Sequence, residues 1–193
     1  MVFWSIDAAI KCPEVDEVVV STDHNDIEEM VAEAYPQCRI HQRSNANAQD
    51  HSSTESVMLE FLESGTYSAD DLFILIQATS PFTKAKHLSE AITQLKDNQL
   101  DSLLSATVSK RFFWNNDGSP INYDPSKRPR RQDFDGLLME NGAFYISSVV
   151  AILESKNRLS GQIGLYTMPE YTSLELDEPH DWTIAEQLIK KYS

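Results

Sequence analysis

Glycine is scarce in this chain, with 6 in 193 residues, and Gly65, Gly118, Gly136, Gly142, Gly161 and Gly164 are dispersed. That spacing excludes a glycine-rich loop wrapped around phosphates, which needs several glycines together so that backbone amides can approach the ligand. Cysteine is nearly absent too. Cys12 and Cys38 are too few for a disulfide framework and lack metal-ligand spacing, so they read as reduced thiols. The five histidines, His24, His41, His51, His87 and His180, show no i, i+4 pair, which argues against zinc. No run approaches the roughly 18 to 20 apolar residues of a membrane span, and residues 1–10 lack the basic start and apolar stretch of a signal peptide. A soluble, intracellular chain with no membrane partner is therefore expected. Basic residues are also in deficit, 16 Lys plus Arg against 30 Asp plus Glu for a formal net charge of -14, which argues against a general nucleic-acid binder.

What is present suits one α/β domain: 41% of the residues are apolar, enough for a single sizeable core. Residues 2–11 space apolar side chains as an amphipathic helix stopped at Pro13. Residues 15–21 form a β-branched strand running into Thr22-Asp23, the expected N-cap of a helix over 26–35. The alternation continues with a short strand at 39–41 and a helix over 52–62, with Ser53 or Thr54 near its start. Residues 71–77, DLFILIQ, are apolar enough for a strand buried on both faces. A helix over 85–97 and strands at 101–108, 142–148 and 173–177 follow, then a helix over 181–190. Strand and helix in alternation predict a mostly parallel twisted sheet with helices on both faces, because parallel neighbours need crossover connections. Residues 109–141 break the rhythm and read as an inserted excursion.

The most informative stretch is KRPRRQDFDGLLMENGAFYI, residues 127–146. In so acidic a chain, Lys127, Arg128, Arg130 and Arg131 read as a local anion site, an import signal, or a solvated basic loop. Ligands of open parallel sheets bind outside the carboxyl ends of the strands, where this sequence delivers Ser21, Thr22, Asp23, Gln77, Thr79, Ser80 and Asp177. Glu175 and Asp177, two apart in an extended segment, point to the same face. Two such carboxylates either accept a hard cation such as Mg²⁺ between them or are simply solvated.

VVVSTDH (18–24), IQATSP (76–81), KRPRRQDFDG with ENGAFYI, and LELDEPHDWTIAEQ resemble, in order and spacing across nearly the whole chain, the cytidine monophosphate-sialic acid synthetases, or acylneuraminate cytidylyltransferases. KRPRRQD followed by ENGAFY is more similar to the animal branch than to the bacterial one. The resemblance implies a nucleotide-diphospho-sugar transferase-like, Rossmann-like fold and a nucleotidyltransferase that joins CTP and sialic acid with Mg²⁺, releasing pyrophosphate. By matching position it implies that Gln77 contacts the sugar, that Asn141 and Tyr145 line the sugar pocket, and that Arg131 faces anionic groups at the joining site, where a guanidinium fork suits carboxylate or phosphate. Glu175 and Asp177 match the family's metal pair, whose first position is more often Asp. Asp177 and Arg131 are the catalytic candidates. Arg43 and the 50–54 turn, with Ser52 and Ser53, match the region near the cytidine nucleotide. The resemblance further implies nuclear import through Lys127, Arg128, Arg130 and Arg131 by an importin, with the cytoplasm as second location, and a homodimer or homotetramer assembled through residues 109–136.

One departure stands out. The family pattern opens with a strand and a glycine-rich basic loop, whereas Met1-Val2-Phe3-Trp4 joins that pattern at its first helix. Residues 1–193 therefore read as a single cytidylyltransferase domain, N-terminally incomplete and poorly active alone, since preorganised phosphate donors carry much of such catalysis. A sheet neighbour is left open to another chain. An incomplete enzyme, a non-catalytic sugar-binding or regulatory relative, and a cytidylyltransferase for a keto-deoxy sugar remain as readings.

Overall fold

The computed structural model describes residues 1–49 and 51–192. Helix α1 (Val2–Ile10) buries Ser5, Ile6, Ala8 and Ala9 along one face and ends ahead of Pro13, which cannot continue a helix. Strand β1 (Val19–Thr22) leads to α2 (Asn25–Ala34) and then to β2 (Arg39–Gln42), which pairs with β1 in parallel, Val20 opposite Ile40. The N-cap of α2 is His24, not Thr22 or Asp23; the Thr22 hydroxyl accepts from the His24 amide, two residues too early to cap. Ser53 caps α3 (Thr54–Ser64) by accepting from the Ser56 amide. Strand β3 (Leu72–Ile76) and helix α4 (Ala85–Asp97) follow, the latter matching expectation residue for residue. Then come β4 (Ser102–Ser109), β5 (Leu137–Ser148), α5 (Val149–Ser155), β6 (Ile163–Met168) and α6 (Pro179–Tyr192).

The sheet is mixed. A second, four-stranded sheet runs in the order β3-β5-β4-β6, with β4 and β6 parallel and β5 antiparallel to both of its neighbours. The excursion between β4 and β5 explains this, because the chain returns beside β4 as a long hairpin and not through a crossover helix. β5 also begins at Leu137 and not at 142, so the excursion is shorter than expected. The expected strand at 173–177 does not form. Glu170–Ser173 make a 3-10 turn, and the extended segment after it is held to the rest by the Leu176 amide donating to the Thr79 carbonyl, 2.9 Å.

Helices cover both faces. On one, Leu72, Ile74 and Ile76 of β3 pack with Ala8 of α1 and with Leu88 and Ile92 of α4. On the other, Phe73 and Leu75 pack with Met58, Phe61 and Leu62 of α3 and with Val149 and Ile152 of α5. β1 alternates likewise, with Val20 in a cluster with Ile6 and Val31 and Val19 against the α3 cluster. Arg39, at the head of β2, pairs with Glu17 at 3.1 Å and donates to the Tyr67 hydroxyl, so β1, β2 and β3 start at one end and finish together at the other. β3 was expected to be buried on both faces. It is half-buried along its whole length, because β5 lies on one edge and a groove on the other.

Candidate functional site

The finishing end of these strands is where polar side chains gather. The Gln77 amide donates to the Ala143 carbonyl (3.2 Å), and the Gln77 carbonyl accepts from the Ser5 hydroxyl (3.4 Å), which fixes the chain just past β3. Opposite it, β5 bulges. Leu104 of β4 faces Tyr145 and Ala106 faces Glu140, so residues 141–144 stand against Ser105 alone. The bulge turns on Gly142 at φ +65°, in the left-handed region that favours glycine. A Cβ at Gly142 would collide with the Glu175 carboxylate and the Gln77 side-chain amide. Gln77, the ENG turn and Glu175, distant in sequence, therefore meet at one point.

The electrostatics there are unusual. The Glu175 carboxyl titrates above its ordinary range, first because it is partly buried, then because Asp177 and Glu140 are negative neighbours. Glu140 accepts from the Tyr145 hydroxyl. Burial and that bond push the Tyr145 phenol up to about 12, so it remains a donor. The Arg158 guanidinium lies over the Tyr145 ring, 4.9 Å from its centroid, and pairs with Glu55 of α3 at 2.5 Å. Asn141 is buried, its amide nitrogen donating to the Thr172 hydroxyl at 3.1 Å, while its carbonyl oxygen has no partner among the described residues. Tyr145 is buried as well, its ring beneath Arg158.

A second group lies at the ends of β1 and β2. Arg43 donates to the Ser21 carbonyl at 2.8 Å and to the Ser21 hydroxyl at 3.3 Å, with Asp23 3.8 Å away. His41, whose imidazole burial shifts below its ordinary range, bonds the same hydroxyl at 3.0 Å. Ser53 is occupied as the α3 cap, and Ser52 bonds within its own loop, donating to the Ala46 carbonyl. Asp50, part of the expected nucleotide turn, lies outside the described residues. Arg43, Ser52, Ser53 and Gln77 all line the groove between β1 and β3.

The basic cluster stands apart on the excursion. Lys127, Arg128, Arg130 and Arg131 are exposed. Arg128 stacks on Phe112 at 4.7 Å, Arg130 pairs with Asp133 at 2.6 Å, and the Arg131 side chain has no hydrogen-bond partner among the described residues. Among the described residues, no hydrogen bond or ion pair joins Arg131 to Gln77 or Glu175.

Sequence reasoning missed Glu140, Gly142, Arg158 and Glu55. The Asn141-Gly142 pair within ENGAFYI is the one local signal for the bulge, and nothing local marks the others. No set of three or more His, Cys, Asp or Glu side chains among the described residues is disposed to hold a metal unaided. The Glu175 and Asp177 pair, in which burial and acidic neighbours raise the Glu175 carboxyl, nevertheless has the donor chemistry of Mg²⁺, which takes one or two carboxylates and completes its shell with water and substrate phosphate.

A family model described as cytidylyltransferase matches residues 1–191. The chain is 36% identical over 200 residues to an N-acylneuraminate cytidylyltransferase of Oncorhynchus mykiss and 35% identical over 199 residues to N-acylneuraminate cytidylyltransferase B of Danio rerio. These alignments cover 100% of the chain but 45% and 46% of the relatives, so it spans less than half of their length. Among solved structures, a CMP-2-keto-3-deoxy-manno-octonic acid synthetase complexed with CTP has a TM-score of 0.71 at 16% identity, covering 100% of this chain and 88% of that one, a likeness of fold.

Proposed function

This chain belongs to the cytidylyltransferase family, and from that premise we propose that it serves the joining of a sialic acid to cytidine monophosphate. The sugar's anomeric hydroxyl attacks the α-phosphorus of CTP, a P–O bond forms, the bond to the bridging oxygen breaks, and pyrophosphate leaves. The observation that carries this reading is the convergence of Gln77, Gly142 and Glu175 at the carboxyl end of β3. Gln77 orients the sugar through its amide, and the bare Cα of Gly142 leaves room for that amide and for the Glu175 carboxylate. Tyr145 and Arg158 hold Glu140 and the bulge in place. Arg43, where β1 and β2 finish, meets the nucleotide, and Arg131 takes anionic groups once substrate brings the excursion near. Mg²⁺ held by Glu175 and Asp177 would neutralise triphosphate charge and favour the leaving pyrophosphate.

The test is N-acetylneuraminate-dependent release of pyrophosphate from CTP with Mg²⁺, with 2-keto-3-deoxy-octonate as a competing sugar. It is run on the chain and on a version with a family-type glycine-rich segment placed before Val2, alongside calorimetric binding of N-acetylneuraminate. Turnover in either form that is lost on Gln77→Ala supports the proposal. Sugar binding without turnover in both forms would replace it with a non-catalytic sugar-binding subunit, and preference for the keto-deoxy sugar would overturn it.

The exposure of Lys127, Arg128, Arg130 and Arg131 supports nuclear import through an importin. A tagged chain with Lys127, Arg128 and Arg130 changed to Ala should stay cytoplasmic; nuclear accumulation of that variant refutes the assignment. Exposed Trp114, Ile121 and Leu138 on and beside the excursion support self-association through residues 109–136, against which a monomer in micromolar sedimentation would count.

A further inference from the structure

One face of β2 carries a basic or aromatic nitrogen at every second residue. Arg39, His41 and Arg43 alternate along it, and Phe61 of α3 packs against the first two, its ring edge-on to His41 with centroids 5.3 Å apart. His41 lies opposite Ser21 in the parallel ladder, which brings its Nδ1 to 3.0 Å from the Ser21 hydroxyl, while its Nε2 lies 3.7 Å from the Glu60 carboxylate. Chemistry fixes the direction of each contact. A carboxylate only accepts, so the ring proton sits on Nε2 and Nδ1 is bare. A guanidinium only donates, so the Ser21 oxygen accepts from Arg43 Nε at 3.3 Å and directs its own hydrogen to Nδ1. Arg43 Nη2 donates to the Ser21 carbonyl at 2.8 Å, and Nη1 has the Asp23 carboxylate 3.8 Å away. Glu60 also braces the residue after Arg43, accepting from the Ser44 amide at 2.8 Å and from the Ser44 hydroxyl at 2.6 Å.

We propose that neutral His41 is a positioning residue for the nucleotide: braced by Glu60, it orients the Ser21 hydroxyl, and that hydroxyl holds Arg43 with Nη1 available to an oxygen of the ligand. The inference rests on the reading that Arg43 meets the nucleotide. Protonation undoes the arrangement. A proton on Nδ1 meets the Ser21 hydrogen head-on, so the hydroxyl must turn, and the ring becomes a cation beside Arg43. The charges that act on His41 are Glu60 from α3 and Arg39 and Arg43 from β2, while Asp23, just past β1, reaches Arg43. Burial, ahead of these charges, shifts the imidazole below its ordinary range, so the neutral ring prevails near neutral pH. Glu60 stays ionised to accept, since the Ser44 hydroxyl and then the Ser44 amide hold its carboxyl below the usual range.

The ligand-free chain is read first, by nitrogen NMR of the imidazoles and of the arginine Nε–H groups, with His41→Asn and Arg43→Lys supplying the assignments. His41 should carry its proton on Nε2, and the Arg43 Nε–H signal should move with the His41 titration below about pH 6.5. That signal should stay still in His41→Asn. Ser21→Ala, which keeps the ring but cuts the link, should remove most of the movement, so the test survives if one variant does not fold. Calorimetry with CTP follows at about pH 7.5 and about pH 5.5. The parent should lose about fivefold more affinity on acidification than His41→Asn, a comparison that cancels the titration of CTP itself. By the same linkage, CTP should lower the His41 midpoint. A proton on Nδ1, an Arg43 signal indifferent to the ring, equal losses of affinity, or a midpoint raised by CTP overturns the proposal and leaves the nucleotide reading intact. Absence of CTP binding near neutral pH refutes that reading and the positioning role together.

Discussion

Glu175 shows how one side chain can hold the site in tension. Its carboxyl is raised by partial burial and by Asp177 and Glu140, so ionisation costs the folded chain something that the unfolded chain does not bear. The sign follows: a carboxyl raised in the fold favours folding below its ordinary range, and that contribution is lost as pH rises through the raised value. Glu175→Gln removes the charge while keeping the shape. Without metal at pH 8, the variant should therefore melt about 1–3 °C higher than the parent, the gap closing as pH falls below about 4. With saturating Mg²⁺ the parent should gain stability and the variant little. Thermal unfolding with and without Mg²⁺ measures this, and a variant less stable than the parent at pH 8 without metal would falsify the account. Glu175, Asp177 and Gln77 could be found in the sequence because polar residues at the ends of apolar stretches have few structural reasons to be there. Glu140 could not, since the bulge alone brings it to Glu175.

At the scale of elements, the bulge in β5 depends on support from outside its own sheet. Arg158, in the loop after α5, reaches Glu55 in the first turn of α3 across a sequence separation of 103, and its guanidinium covers Tyr145. The Arg158 hydrogen bond, ahead of other influences, holds the Glu55 carboxyl below its usual range. A lowered carboxyl contributes stability above its ordinary range and loses it as pH falls through the lowered value. Arg158→Met keeps the packing over Tyr145 but strands Glu55, and should cost about 1–3 kcal/mol at pH 7 for a half-buried pair. Urea midpoints at pH 7 and at about pH 3 should show that gap shrinking in acid; an unchanged gap would mean that the loss lies in packing. Helix α4 was legible because Leu88, Ala91, Ile92 and Leu95 recur at helical spacing and are all buried. Strand β6 was not, because Ile163 and Leu165 point outward while Gly164 and Met168 are buried, the reverse of a readable alternation. In LELD the alternation is real, with Leu176 inside and Asp177 outside, yet no neighbouring strand is there to make it a ladder.

Across the whole molecule, the two sheets share no ladder, so their coupling rests on side chains. Helix α1 is the principal clamp: Ile6 packs with Val20 and Val31 beneath β1, while Ala8 joins the larger core with Leu88, Leu103, Phe144 and Ile146. That larger core draws on α1, α4 and all four strands of the second sheet, whereas the first sheet has two strands of four residues each and the thin cluster around Val31. Short strands with one open edge and few buried partners open locally at lower free energy than a core does. Native-state hydrogen exchange should therefore resolve two cooperative units. Amides of β1 and β2, such as Ile40, should open at a free energy about 1–3 kcal/mol below that of Leu103, Phe144 and Ile146, and with a smaller dependence on denaturant because less surface is exposed. If all of these amides open at one common free energy and slope, α1 couples the sheets fully and the groove does not divide the fold. If they separate, the groove between β1 and β3 divides the fold into two units that only side chains, chiefly those of α1, hold together.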